Sequence, residues 1–149
     1  MKYGFYGASD VGSVHAGGRI YEGIDTPADL YEALTGLWCA ETCAPRLRCG
    51  WNKDNPTLGQ CSITAFLAQD IFGGEVFALP TDNGGVHCYN RVGDVIFDLT
   101  SEQFGEKAKE LVYDCSAIQT RDMPHHFGKR EKKERYEYLK GLLEKKMKG

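Results

Sequence analysis

The twelve residues Cys61–Phe72, CSITAFLAQDIF, hold only four plainly polar side chains: Ser62, Thr64, Gln69 and Asp70. A helix over this stretch carries apolar groups around most of its circumference, so the rest of the chain has to enclose it. The turn-rich lead Asn55-Pro56-Thr57-Leu58-Gly59-Gln60 precedes it and Gly73-Gly74 stops it. A cysteine therefore opens a central helix. At that position the unpaired N–H groups of the first turn and the positive end of the helix dipole favour a thiolate over a thiol.

A chain of 149 residues with 42% hydrophobic and 11% aromatic content builds one domain with its own core. The N-terminal twenty residues are rich in Gly and Tyr and carry neither a basic lead nor a continuous apolar run, so no signal peptide is read there; no apolar run elsewhere is long enough to span a membrane. The expected location is the cytoplasm, and the six unevenly spaced cysteines are expected to be reduced. The net charge of −3 is uneven: residues 129–148 hold nine Lys or Arg and four Glu, a balance of +5, which leaves −8 for the rest. Tyr136, Leu139, Leu143 and Met147 recur there at helical spacing, which predicts an amphipathic C-terminal helix docked by one side with a solvated basic face, not a nucleic-acid contact.

Residues 1–25 read as an N-terminal arm without a clear period, and residues 26–149 as a single domain. Thr26, Pro27 and Asp29 form a helix start with a capping box, and Leu30, Leu34, Leu37 and Trp38 carry the helix to about residue 39. Cys39, Cys43 and Cys49 suggest a zinc module, with His15 or Cys88 as a fourth ligand. Only Cys39 and Cys43 have the close spacing of structural zinc ligands, so neither a metal nor another cofactor is expected. Short strands are predicted over residues 75–79, 85–92 and 95–99, with a loop at 80–85 and a type II′ turn at Gly93-Asp94. A capping box at Thr100–Gln103 predicts a helix to about residue 110, residues 111–115 predict a further strand, and residues 121–127 form a loop before the last helix.

The two-residue turn sets a register. With Val92 opposite Val95, the pairs run Arg91 with Ile96, Asn90 with Phe97, Tyr89 with Asp98, Cys88 with Leu99 and His87 with Thr100. His87 and Asp98 then share a face as diagonal neighbours, roughly 7 Å apart at Cβ, while Asn90 and Cys88 point to the other side. A nucleophilic cysteine needs a base to hold its thiolate and a third group to orient that base; Cys61, His87 and Asp98 supply these roles. The N–H of Cys61 and a side-chain amide, from Gln60 or from Asn55 six residues upstream, would form an oxyanion hole. His125 and His126 are rival bases that nothing in the sequence orients. The order of helix and strands resembles that of papain-like folds of the peptidase or transglutaminase type.

Three stretches also resemble the YunG-like family of small bacterial proteins. They are Glu41-Thr42-Cys43 with Pro45; Asn55 through Cys61 with Gln69-Asp70-Ile71-Phe72-Gly73-Gly74-Glu75; and His87, Tyr89-Asn90-Arg91 and Asp98 through Phe104. The resemblance runs from about residue 30 into the last helix, where Arg135-Tyr136-Glu137-Tyr138-Leu139-Lys140 also fits. It covers Cys61, His87 and Asp98, whereas residues 1–25, Cys39 and Cys49 depart from the family pattern. The expectation is an α+β, papain-like domain acting as a cysteine hydrolase or acyltransferase on a peptide or small-molecule amide or a thioester, with oligomeric state left open. A non-catalytic binding or adaptor protein is the alternative from another class.

Overall fold

Residues 3–81 and 85–148 are described by a computed structural model. The first helix, α1, spans Pro27–Leu34 and begins as its capping sequence predicts: the Asp29 carboxylate accepts the backbone N–H groups of Asp25 and Thr26, both at 3.0 Å. It ends five residues earlier than the apolar spacing suggests. Gly36 adopts φ +94°, a left-handed conformation that closes the helix, so Trp38 enters the core from a turn, its indole N–H donating to Thr64 Oγ1 at 3.0 Å. Burial of a turn imitated helical periodicity here. Two short 3₁₀ segments follow, Ala40–Thr42 and Pro45–Gly50.

The second helix, α2, spans Cys61–Phe72, and Ser62 through Ala68, Ile71 and Phe72 are all buried. The run of apolar residues is thus enclosed, as its all-round character requires. Gly59 delivers the chain to α2 through a tight passage. Its φ is +72°, and a Cβ there would lie 2.5 Å from Cys43 Sγ and 2.9 Å from the Ala44 nitrogen.

Four strands form an antiparallel sheet in the order β3-β2-β1-β4: β1 Glu75–Pro80, β2 Val86–Val92, β3 Val95–Phe97 and β4 Ala117–Gln119. The hairpin keeps the predicted register over Val92 with Val95, Arg91 with Ile96 and Asn90 with Phe97, and of the turn pair only Gly93 takes a positive φ, +61°, as a type II′ turn requires. The three pairs predicted beyond Phe97 do not form. Asp98 leaves β2 and donates its N–H to the Tyr6 carbonyl at 3.0 Å, so the N-terminal arm takes over the edge. Of the loop predicted at 80–85, Pro80 belongs to β1 and residues 82–84 lie outside the described residues.

Val76, Ala78, Cys88 and Phe97 turn one face of the sheet to α2 and the main core; Phe77, Leu79 and Tyr89 turn the other to Leu111 and Tyr113. The arm contributes Phe5, Val11, Val14 and Ile24 to that main core. Two further predicted elements differ. Ser101–Glu110 is 3₁₀ in two pieces, broken where Gly105 has φ +56°, and the Thr100 hydroxyl bonds Asp98 Oδ1 at 3.3 Å where an N-cap was expected. Residues 111–115 are not a strand, because Asp114 Oδ1 accepts the N–H and hydroxyl of Ser116 and Cys115 turns at φ +55°, so pairing resumes only at β4. The last helix, α3, spans Arg130–Lys148 and buries Tyr136, Leu139 and Leu143 with Met147 partly covered, as its spacing predicts. Among the described residues no helix is long and apolar enough to cross a membrane.

Candidate active site

Cys61 begins α2, where the first N–H groups have no carbonyl behind them in the helix. The residue is partly buried and lines a cavity of about 440 Å³ together with Gly59 and Ser62 beside it in sequence, His87 and Cys88 from β2, and residues from the start of α3. The structure brings the three predicted residues together. His87 Nε2 and Asp98 Oδ2 are 2.5 Å apart, and both side chains are 1% exposed. The two side chains meet as the face alternation suggests, but not through the predicted ladder: Asp98 lies one residue past the end of β3 and bridges to Tyr6 instead of pairing with Tyr89.

Asp98 is held from three directions. The Thr100 N–H and hydroxyl donate to Oδ1 at 3.2 and 3.3 Å, and the Tyr113 hydroxyl donates to Oδ2 at 2.7 Å. Tyr6 stacks on Tyr113 at 4.0 Å, and Phe104 meets the His87 ring edge-on at 4.7 Å. Burial works against a charged imidazole, but the Asp98 carboxylate outweighs it, and with its hydrogen bond and the nearby Cys61 sulfur pushes His87 up to about 10. Because Nε2 belongs to Asp98, the approach to Cys61 falls to Nδ1, which is buried and has no aligned hydrogen-bond partner.

The Cys61 thiol is held well below its ordinary value. The Cys88 thiol donates to its sulfur, burial opposes the charge, and His87 and the Cys88 backbone N–H add further support. Cys88 does occupy the α2 face of β2, as the register predicts, and that is what brings it to Cys61. Its own thiol is pushed up by donating to Cys61 and by burial. A thiolate-imidazolium pair, carried by a carboxylate behind it, is the charge state this geometry favours.

The remaining candidate residues fall elsewhere. Gln60 is fully buried, its Nε2 donates to the Cys39 carbonyl at 3.1 Å and its Oε1 has no partner; Asn55 Nδ2 points to the Gln103 carbonyl at 3.5 Å. Neither amide lines the cavity. Gln103 does, with its Oε1 accepting the Gly59 N–H at 3.4 Å and its Nε2 donating to the Thr100 carbonyl at 3.1 Å. His125 and His126, for which the sequence offered no orienting group, share one: Gln119 Oε1 accepts both rings at 2.9 and 2.7 Å. Lys132 Nζ reaches His126 Nδ1 at 3.3 Å, and burial with the nearby Lys132 and His125 charges pulls His126 down to about 4. Cys39, Cys43 and Cys49 are free thiols, half-buried, buried and exposed in turn. Among the described residues no group of three or more His, Cys, Asp or Glu is arranged to hold a metal ion.

Tyr113, Thr100, Gln119 and Lys132 are functional candidates that sequence reasoning missed. Only Lys132 left a signal, four residues before Tyr136 on the docked side of α3.

The family model described as YunG protein matches residues 26–148. A 54-residue segment is 44% identical to the Bacillus subtilis (strain 168) protein named "Uncharacterized protein YunG", covering 36% of this chain and 46% of that protein, about half its length. No solved structure matches the chain. With nearly all of the chain beyond the N-terminal arm inside that model, the chain belongs to the YunG protein family.

Proposed function

We propose that the protein is a cysteine-dependent hydrolase or acyltransferase acting on an amide or thioester through Cys61, His87 and Asp98, on a papain-like arrangement of helix and sheet. One observation carries the reading: the 2.5 Å contact between His87 Nε2 and Asp98, with the other ring nitrogen left for a cysteine at a helix N-terminus. The Cys61 thiolate attacks the carbonyl carbon of the substrate, and the resulting oxyanion takes the N–H of Cys61 as a donor. His87 then gives its Nδ1 proton to the departing amine or thiol, which leaves an acyl group on the Cys61 sulfur. Water, or an acceptor amine, loses a proton to the now neutral imidazole as it attacks that thioester and frees the enzyme. Asp98 keeps the Nε2 proton in place throughout, as the third residue of a triad does. Six free thiols suit a reducing compartment such as the cytoplasm.

The test is trapping of the acyl-enzyme. Brief exposure to p-nitrophenyl acetate at pH 7 and intact-mass analysis is expected to show one acetyl group, mapped to Cys61 and absent from Cys61→Ala. Acetylation confined to the exposed thiol of Cys49, with Cys61 unmodified, contradicts the reading.

A further inference from the structure

The cavity that Cys61 lines carries more cationic side chains than the described residues neutralise. Glu131 is the only carboxylate among the described lining residues, and it is engaged by Arg135 Nε at 2.7 Å. Arg46, Lys129 and Lys132 also line the cavity, and none of them has an ion pair with a carboxylate among the described residues. Lys132 is the telling one, because it is half-buried and among the described residues its ammonium donates only to neutral acceptors: the His125 carbonyl at 2.6 Å and His126 Nδ1 at 3.3 Å.

No carboxylate among the described residues pairs with this ammonium, and the negative charge nearest to hand in the cavity, the Cys61 thiolate, is lost when Cys61 is acylated; a partly desolvated ammonium left in that state is costly unless a ligand repays the cost. The two neutral acceptors hold Nζ in place and use two of its three N–H donors. One donor remains. That is a single-point anion contact, suited to one oxygen of a carboxylate. His126 takes part by accepting at Nδ1, which places its ring proton on Nε2, facing Gln119 Oε1.

We infer that the acyl substrate of Cys61 carries a carboxylate, and that Lys132, fixed by His125 and His126 and assisted by Lys129 and Arg46, receives it in the cavity that the nucleophile also lines. The inference rests on the reading of Cys61 as that nucleophile and narrows its substrates to anionic amides or thioesters. Lys132 is a binding residue on this account and takes no part in the bond exchange.

Two alkylating reagents of nearly equal size, one anionic and one neutral, separate the possibilities. The full chain is treated with iodoacetate or iodoacetamide, the rate at Cys61 is followed by peptide mapping, and the iodoacetate-to-iodoacetamide ratio is divided by that of 2-mercaptoethanol. The expected normalised ratio is about tenfold above unity at low ionic strength, falling as salt screens the ammonium. In Lys132→Gln it drops toward unity, and in Lys132→Arg most of it is retained. A wild-type ratio near unity that ignores salt overturns the inference without any variant, as does a ratio unmoved by Lys132→Gln. Slowing of both reagents together in Lys132→Gln marks a structural role and also overturns it. Failure of Cys61 to react with either reagent at pH 6 overturns the nucleophile reading, and this inference with it.

Discussion

His87 and His126 line the same cavity in front of Cys61 and are 1% and 0% exposed, yet His87 is pushed up to about 10 while His126 is pulled down to about 4. Burial disfavours the charged imidazole at both sites, so the difference lies in what each ring faces. His87 has the Asp98 carboxylate at 2.5 Å; His126 has the Lys132 ammonium at 3.3 Å and a neutral amide on its other nitrogen. One ring is therefore kept charged beside a thiolate and the other is kept neutral as an acceptor for a lysine. Proximity to a cysteine does not make a histidine its partner. The carboxylate behind the ring does, and on the proposed function it makes His87 the acid-base group and leaves His126 a positioning group.

Removing that carboxylate has the largest expected effect. Asp98→Asn keeps the shape and an acceptor oxygen but deprives His87 of its counter-charge, so the imidazole becomes neutral near pH 7 and Cys61 reverts toward an ordinary thiol. Iodoacetamide labelling of Cys61 at pH 6 is expected to slow by about 100-fold, with a loss of about 3 kcal/mol in urea unfolding from breaking a buried pair. Tyr113→Phe removes one donor to Asp98 and leaves the charge, and is expected to cost about 1 kcal/mol in the same unfolding measurement with a labelling profile displaced by less than one pH unit. If Tyr113→Phe matched Asp98→Asn, the hydroxyl rather than the charge would be what separates the two histidines.

The third expectation is smaller and concerns pH. His126 is depressed below its ordinary 6.5, so the unfolded chain takes up this proton first, and stability falls as pH drops from 6.5 toward 4. Cys61, also depressed, acts in the same direction on the acid side. His87 is raised, so its contribution is complete below 6.5 and is lost as pH rises to about 10. Cys61 offsets that loss until the unfolded thiol itself ionises near its ordinary 9.0, so the net decline sets in at about 9, where Cys88, raised in the fold, adds to it. Thermal midpoints across pH 4–10 are expected to show a plateau with two limbs. His126→Asn should make the acid limb shallower and leave the alkaline limb in place, whereas Asp98→Asn should flatten the alkaline one.

Much of this site was legible because its determinants are local. The apolar run from Ile63 to Phe72 required an enclosed helix, Gly73 ended it, and the Gly93-Asp94 turn set a register that selected Asp98 over Asn90 by face alternation alone. What stayed illegible depends on contacts between distant parts of the chain. Tyr6 draws Asp98 out of the hairpin, Tyr113 reaches Asp98 from a segment whose composition looked like a strand, and Gln119 orients two histidines that have no orienting neighbour in sequence. Gln60 and Asn55 show the converse. Their position before Cys61 suggested an oxyanion role, but Gln60 spends its amide N–H on Cys39 and Asn55 points to Gln103. Helix ends behaved alike: Gly36 and Gly105 stop or break helices that capping and spacing alone would have continued.

The pairing of Cys61 with His87 is what the comparison of the two histidines rests on, and the pH dependence of iodoacetamide labelling at Cys61 reads it. Labelling is expected to persist well below the reference thiol pKa of about 8.5; His87→Ala is expected to move the profile toward that of an ordinary thiol, short of it by what Cys88 still contributes, and the intact His126 is not expected to compensate. A wild-type profile that rises only near 8.5, or one that His87→Ala leaves unchanged, contradicts that pairing.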